Sequence, residues 1–251
     1  TLHAPALNRP ELVARFVEEA QVGAQLQHPN IVPVYETGEL SDGRHYFTMK
    51  EIKGRELTAL ILGVHKNSNS QWLPADDGTT FRQLIQMFNT ICETISYAHS
   101  LGVIHRDLKP DNIMLSPLTK SRRHYHVKLL DFGIAKNLHH EGERYTAAGT
   151  VCGTPDYMSP EQARGEFHRL DARSDVFSLG LMLRALLTGS PHLDPRLPNP
   201  VLLERAVEPV TDIDSVARPV ASELIELCVA CTRHDPADRP ADAGVLASRV
   251  R

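Results

Sequence analysis

The chain has 251 residues, 41% of them apolar and 23% charged, enough for one large domain or two small lobes around a real core. Its net charge of -4 gives no basic surface of the kind that nucleic-acid binding needs. No apolar run approaches the ~20 residues of a membrane span and no secretory leader pattern is present, so no membrane contact is expected within these residues. The first residue is Thr1, so the start of translation is expected upstream.

In chain order, Glu11 to Gln27 reads as a helix: Leu12, Phe16, Ala20 and Leu26 fall near one face and Pro10 precedes them. Strands are predicted over Ile31–Thr37 and His45–Glu51, with Ser41-Asp42-Gly43 as the turn between them. Gly63 to Thr80 is polar and irregular and reads as a surface insertion or mobile loop. The clearest helix follows, with Leu84, Phe88, Ile91, Ile95 and Ala98 at four-three spacing and Gly102 after its end. Ile104 to Phe132 reads as short strands and loops with a basic tip at Lys120 to Arg123, and beyond Asp171 the pattern is mostly helical. Strands first and helices later suggest an α+β arrangement.

The four cysteines are Cys92, Cys152, Cys228 and Cys231. Only the last two form a Cys-x-x-Cys pair, inside ELIELCVACTRHD, a stretch that reads as a buried helix. With no second pair at ligand spacing, packed free thiols are favoured over a metal or redox site. A reducing, cytoplasmic compartment is expected, with an anchor elsewhere in a longer parent left open.

Three motifs carry the functional information. The first is His105-Arg106-Asp107-Leu108-Lys109-Pro110-Asp111-Asn112, the second Asp131-Phe132-Gly133, the third Ser159-Pro160-Glu161. Taken singly, Asp107 reads as a loop-capping aspartate and Asp131 as the start of a turn. In this order and spacing the chain resembles the protein kinases, specifically the bacterial members of the eukaryotic-like Ser/Thr class. The resemblance extends from the helix at Glu11 to Asp238-Arg239-Pro240.

That resemblance implies a bilobal fold with a small, incomplete N-lobe sheet (1–49), a hinge (50–56) and a mainly helical C-lobe (57–251). It implies ATP and Mg2+ as cofactors and protein Ser/Thr hydroxyls as substrates, autophosphorylation included. Asp107 takes the place of the catalytic base and Lys109 lies near the γ-phosphate. Asn112 and Asp131 are the magnesium ligands, with Phe132 and Gly133 completing that motif. Glu19 matches the glutamate that pairs with a strand lysine; a solvated helix face is its other reading. Met49 matches the gatekeeper, Lys50 and Ile52 the hinge carbonyl and N–H, and Met114 the side chain under adenine. Arg106 matches the arginine that binds an activation-loop phosphate, for which Thr146 and Thr150 are candidates. Thr154 resembles the threonine that bonds the catalytic pair. His105 belongs to the same structural set. Asp175 resembles a prop for the catalytic loop, an N-cap being its alternative. Glu161 and Arg239 match a buried ion pair.

The resemblance departs at the start of the chain. No Gly-x-Gly-x-x-Gly occurs anywhere, and Thr1-Leu2 looks like the residues just after the phosphate-binding lysine. Truncation of a longer parent, and poor ATP binding by the chain alone, are the expectation. A pseudokinase-like interaction domain is the alternative to an enzyme, and the intact Asp107, Asn112 and Asp131 favour the enzyme.

Overall fold

A computed structural model of the chain describes residues 23, 25–68, 70–117, 125–130, 155–210 and 218–250. The expected site residues Glu19, Asp131, Phe132, Gly133, Thr146, Thr150 and Thr154 lie outside that set, as do Cys152, the basic tip at 120–123 and nearly all of the expected first helix. Of that helix, Gly23 and Gln25 are described and are helical.

The first described strands are β1 (Val34–Glu39) and β2 (His45–Met49), an antiparallel pair. The first begins three residues later than its sequence pattern suggests. Pro33 has a fixed φ and no N–H, so regular pairing starts only after it. Ile31 makes an isolated parallel bridge to Leu129 instead. The second strand stops at Met49 because Met49 faces Val34, the first residue of its partner. A three-stranded antiparallel sheet has the order β3 (Arg55–Glu56), β4 (Ile113–Pro117), β5 (Tyr125–Leu129). Arg55 and Glu56 therefore pair with Leu115 and Met114.

Helix α1 runs over Leu57–Asn67, where the sequence suggests irregular chain from Gly63 onward. Leu57, Leu60, Ile61 and Val64 are all buried, and that stripe overrides the low helix propensity of Gly63. The following residues are also tied down. Ser68 is buried and its hydroxyl donates to the Val64 carbonyl at 2.7 Å. Trp72 stacks on Phe81 with ring centroids 3.8 Å apart.

Helix α2 (Phe81–Ser100) matches its sequence pattern: Leu84, Phe88, Ile91, Ile95 and Ala98 are all fully buried. It opens with a capping box, the Thr80 N–H donating to Gln83 Oε1 at 2.8 Å and the Gln83 N–H to Thr80 Oγ1 at 3.3 Å. Then come α3 (Pro160–Ala163), α4 (Ala172–Thr188), α5 (Asn199–Ala206), α6 (Ser222–Cys231) and α7 (Ala243–Val250). Helix α4 is buried on every side from Ser174 to Leu187 and forms the axis of the helical body. Helices α2, α6 and α7 pack around it.

Gly180 lets α6 come close to α4: a Cβ there would lie 2.7 Å from Cys231 Cβ. Cys228 Sγ donates to the Gly180 carbonyl at 3.3 Å. Cys92, Cys228 and Cys231 are free and buried, and burial pushes the Cys92 and Cys231 thiols well above their ordinary range. The packed-thiol reading of the Cys-x-x-Cys pair therefore holds, and no metal-binding cluster occurs among the described residues. No described helix is long and apolar enough to cross a membrane.

Candidate active site

The site is built outward from one buried carboxylate. Asp175 sits inside α4, whose N-cap is Asp171, so Asp175 is not a cap. A carboxylate with no exposure must be satisfied by donors. Asp175 Oδ2 accepts from the His105 N–H at 2.7 Å and Oδ1 from the Arg106 N–H at 2.8 Å. His99, in the last turn of α2, donates to Oδ2 from Nε2 at 2.9 Å, while its Nδ1 accepts from the Ala243 N–H at 3.4 Å. Asp175 thus joins α2, α4 and the loop that carries Asp107, and His99 extends the cluster to α7. His99 is a member of this cluster that the sequence motifs do not flag.

His105 is fully buried. Its Nδ1 accepts from the Asp107 N–H at 3.3 Å, so Nε2 is the protonated nitrogen and donates to the Leu130 carbonyl at 3.1 Å. Burial lowers its pKa from the ordinary imidazole value, against the opposing pull of Asp175 and Asp107. Arg106 has φ of 65°, and among the described residues no other non-glycine has positive φ. Such a conformation costs about 1–3 kcal/mol and persists only where the surroundings over-determine it.

Lys109 and Pro110 start a short 3-10 turn over Pro110–Asn112, for which the fixed φ of proline is well suited. The Asn112 N–H donates to the Lys109 carbonyl at 3.1 Å. Asn112 Nδ2 donates to the Asp107 carbonyl at 2.8 Å and to Asp107 Oδ2 at 3.1 Å. The octet therefore folds back so that Asp107 and Asn112 are side by side. The Asn112 carbonyl accepts from the Leu130 N–H at 2.9 Å, which sets the residue just past the end of β5 against this turn. Asp111 Oδ1 accepts from Thr58 Oγ1 in α1 at 2.7 Å, a partner that sequence spacing does not reveal.

The third motif is anchored from below. Arg239 and Glu161 form a two-pronged pair, Nη1 to Oε1 at 2.8 Å and Nη2 to Oε2 at 2.9 Å, with both side chains buried. Ser174 Oγ donates to Glu161 Oε1 at 2.7 Å. Burial alone would raise the Glu161 pKa; the hydrogen bonds and charge of Arg239, with Ser174, outweigh it and hold the carboxyl below its ordinary range. Next to Glu161, Gln162 Nε2 donates to the Arg106 carbonyl at 2.8 Å, so the third motif touches the first.

The residues matched to an adenine pocket are spread over two segments. Met49 ends β2, Lys50 and Ile52 follow it, and Met114 lies in β4 between Glu56 of β3 and Lys128 of β5. Met49, Ile52 and Met114 are half-buried and Lys50 is exposed. The Lys50 N–H donates to the Pro33 carbonyl at 3.4 Å. Among the described residues, neither the Lys50 carbonyl nor the Ile52 N–H has a backbone partner.

Comparison with known proteins agrees with this geometry. A model of the protein kinase domain matches residues 6–249. The chain belongs to the protein kinase domain family. It is 36% identical over 260 aligned residues to the serine/threonine-protein kinase pkn3 of Myxococcus xanthus, covering 98% of this chain and 43% of that protein. It is 40% identical over 193 residues to the serine/threonine-protein kinase PknB of Mycolicibacterium smegmatis, covering 76% of this chain and 28% of that protein. The chain thus spans less than half the length of these relatives. The crystal structure of the Mycobacterium tuberculosis PknI kinase domain superposes with a TM-score of 0.69 at 24% identity, covering 99% of this chain and 82% of that one. At that identity the likeness speaks for the fold, with its small sheet lobe and helical lobe.

Proposed function

We propose that this chain is a catalytic domain that transfers the γ-phosphate of ATP to serine or threonine hydroxyls of proteins. The observation that carries the reading is the Asp107–Asn112 pair, 3.1 Å apart, on a loop whose backbone is clamped by buried Asp175. Asp107 accepts a hydrogen bond from the attacking hydroxyl and orients it. The hydroxyl oxygen forms a bond to the γ-phosphorus, the bond from that phosphorus to the β–γ bridging oxygen breaks, and the hydroxyl proton passes to Asp107. ADP leaves. Lys109, two residues on, meets the negative charge of the transferred group.

The donor set suits magnesium. Asn112 turns its amide nitrogen toward Asp107, which leaves its oxygen as the ligand atom, and Asp131 is the second oxygen donor in sequence. Hard oxygen ligands are what magnesium prefers, and when bound it neutralises phosphate charge. The lobes divide near residues 50–56, with Met49, Ile52 and Met114 lining the adenine side and the Lys50 carbonyl and Ile52 N–H facing its edge. Glu19, Thr146, Thr150 and Thr154 take the regulatory roles that their motif positions imply.

The 251 residues contain no Gly-x-Gly-x-x-Gly to cover the phosphates, so calorimetry on this chain alone should find weak MgATP binding. Kinetics belong on the full-length gene product, with MgATP and a Ser/Thr peptide. Asp107→Ala should lower turnover by about 10²- to 10⁴-fold. Near wild-type transfer by that variant would overturn the reading.

A further inference from the structure

Arg106 is held from both sides. Its N–H donates to Asp175, and its carbonyl accepts from Gln162 Nε2 at 2.8 Å. That carbonyl belongs to the peptide plane whose other end is the Asp107 N–H, which donates to His105 Nδ1 at 3.3 Å. A peptide group is planar, so fixing its oxygen and its N–H fixes the direction in which the Asp107 Cα leaves it. The residue so clamped is the one at φ of 65°, a conformation that would relax without restraint.

Gln162 is itself fixed. Its Oε1 accepts from the Ser159 N–H at 3.0 Å and from Ser159 Oγ at 3.0 Å, which fixes the amide so that Nε2 faces Arg106. The neighbouring Glu161 is locked to Arg239. We propose that Gln162 is a positioning residue for phosphotransfer: it transmits the rigid seat of the Ser159-Pro160-Glu161 turn to the strained peptide that carries the catalytic base. This role rests on the kinase reading above.

Two substitutions separate this contact from the cap it shares. Gln162→Glu keeps an oxygen for Ser159 but puts a second oxygen against the Arg106 carbonyl. Ser159→Ala removes one of the two donors on Gln162 Oε1, and leaves the other, the residue 159 N–H, and the Gln162–Arg106 bond. In the full-length gene product at pH 8, Gln162→Glu should lower kcat by about tenfold or more with the KM for ATP unchanged, and Ser159→Ala, which keeps the residue 159 N–H on Gln162 Oε1, should lose clearly less. Protonating the new carboxyl restores a donor, so the ratio of Gln162→Glu to wild-type kcat should rise as pH falls toward 5.5. A merely structural defect would not recover.

Amide hydrogen exchange on the 251-residue chain reads the brace without needing activity. Exchange at residues 105–107 should speed up more in Gln162→Glu than in Ser159→Ala. Unchanged exchange, or faster exchange with unchanged kcat, overturns the proposal. A wild-type gene product inert toward peptide and MgATP sinks the kinase reading and this role with it, while the exchange data still report separately whether Gln162 restrains the loop.

Discussion

Two polar clusters tie distant segments of this molecule together, and they differ in depth. The inner one joins Glu161, Ser174 and Arg239, with Asp175 one residue further along α4. The outer one centres on His65, at the end of α1. His65 Nε2 donates to the Leu186 carbonyl at 2.9 Å, and Nδ1 accepts from Arg218 Nη1 at 2.6 Å. Arg218 also donates to the Ser68 carbonyl at 2.6 Å and lies 4.9 Å from the Trp72 ring centroid. Trp72 Nε1 donates to the Pro219 carbonyl at 2.8 Å. Gly189, at φ of 84°, ends α4 beneath this imidazole, where a Cβ would lie 2.4 Å from its Nδ1. The inner cluster is a charged pair with its donors and acceptors matched. The outer one works only with a neutral ring, because a protonated Nδ1 would face the guanidinium with a second donor. Depth and charge type therefore set both how much each cluster stabilises and at which pH it fails.

The largest effect is expected at the inner pair. Arg239→Ala leaves a buried carboxylate unpaired and should cost about 3–5 kcal/mol, read from urea unfolding. A double replacement of Glu161 and Arg239 by apolar residues of similar volume should cost much less than the two single losses summed. A small loss in the single variant would show that the cluster is not as dry as its burial indicates.

Asp175→Asn comes next. It retains the shape but replaces one acceptor oxygen with a donor facing a backbone N–H, so it should cost about 1–3 kcal/mol and lower kcat in the full-length protein. Stability loss with kcat unchanged would separate the brace from the chemistry.

The pH test contrasts the two clusters directly. Burial, then the Arg218 charge, hold the His65 pKa below the ordinary 6.5, partly offset by the Leu186 carbonyl. The unfolded chain then binds a proton that the folded chain refuses. Stability is complete above pH 6.5 and falls as pH drops below it, by up to about 1.4 kcal/mol per unit of pKa difference. Buried His105 acts in the same direction. His65→Gln should flatten part of the decline measured by urea unfolding between pH 7.5 and 5.5. Glu161 has the opposite shift: its contribution is present above the ordinary carboxylate value of 4.5 and is lost only as pH falls further, through its lowered pKa. An unchanged slope in His65→Gln would remove His65 from the account.

The smallest effect is expected from Trp72→Phe. It keeps a ring to stack on Phe81 and loses the donation to Pro219, about 0.5–1.5 kcal/mol, with a smaller ring left facing Arg218 and His65. Faster hydrogen exchange confined to residues near 68–80 is the expected signature, and a global loss of protection would show that this loop supports the whole helical body.

The division between legible and hidden features follows the type of interaction. Helix α2 could be read because its stripe has one period and one buried face. Helix α1 was not read from the sequence, since Gly63 breaks the local propensity while the burial of Val64 restores the helix from outside. The octet on which the proposed function rests was legible as a motif because it consists of particular residue types at short spacing. The pairing of Glu161 with Arg239 was legible only through family resemblance, since nothing local links residues so far apart. His99, Thr58 and Gln162 stayed hidden because a polar side chain has many chemically suitable partners and only the folded chain selects one.

The sequence alone therefore pointed to the family of this chain, to its clearest core helix, α2, and to the motifs on which the proposed function rests, since periodicity and short motifs are written along the chain. Tertiary structure decided what holds those residues still. The donors on Asp175, the clamp on the Arg106 carbonyl and the neutral state of His65 all depend on which polar groups are brought together out of water. Hydrogen-bond direction and desolvation are properties of a place in the fold, and no stretch of sequence carries them by itself.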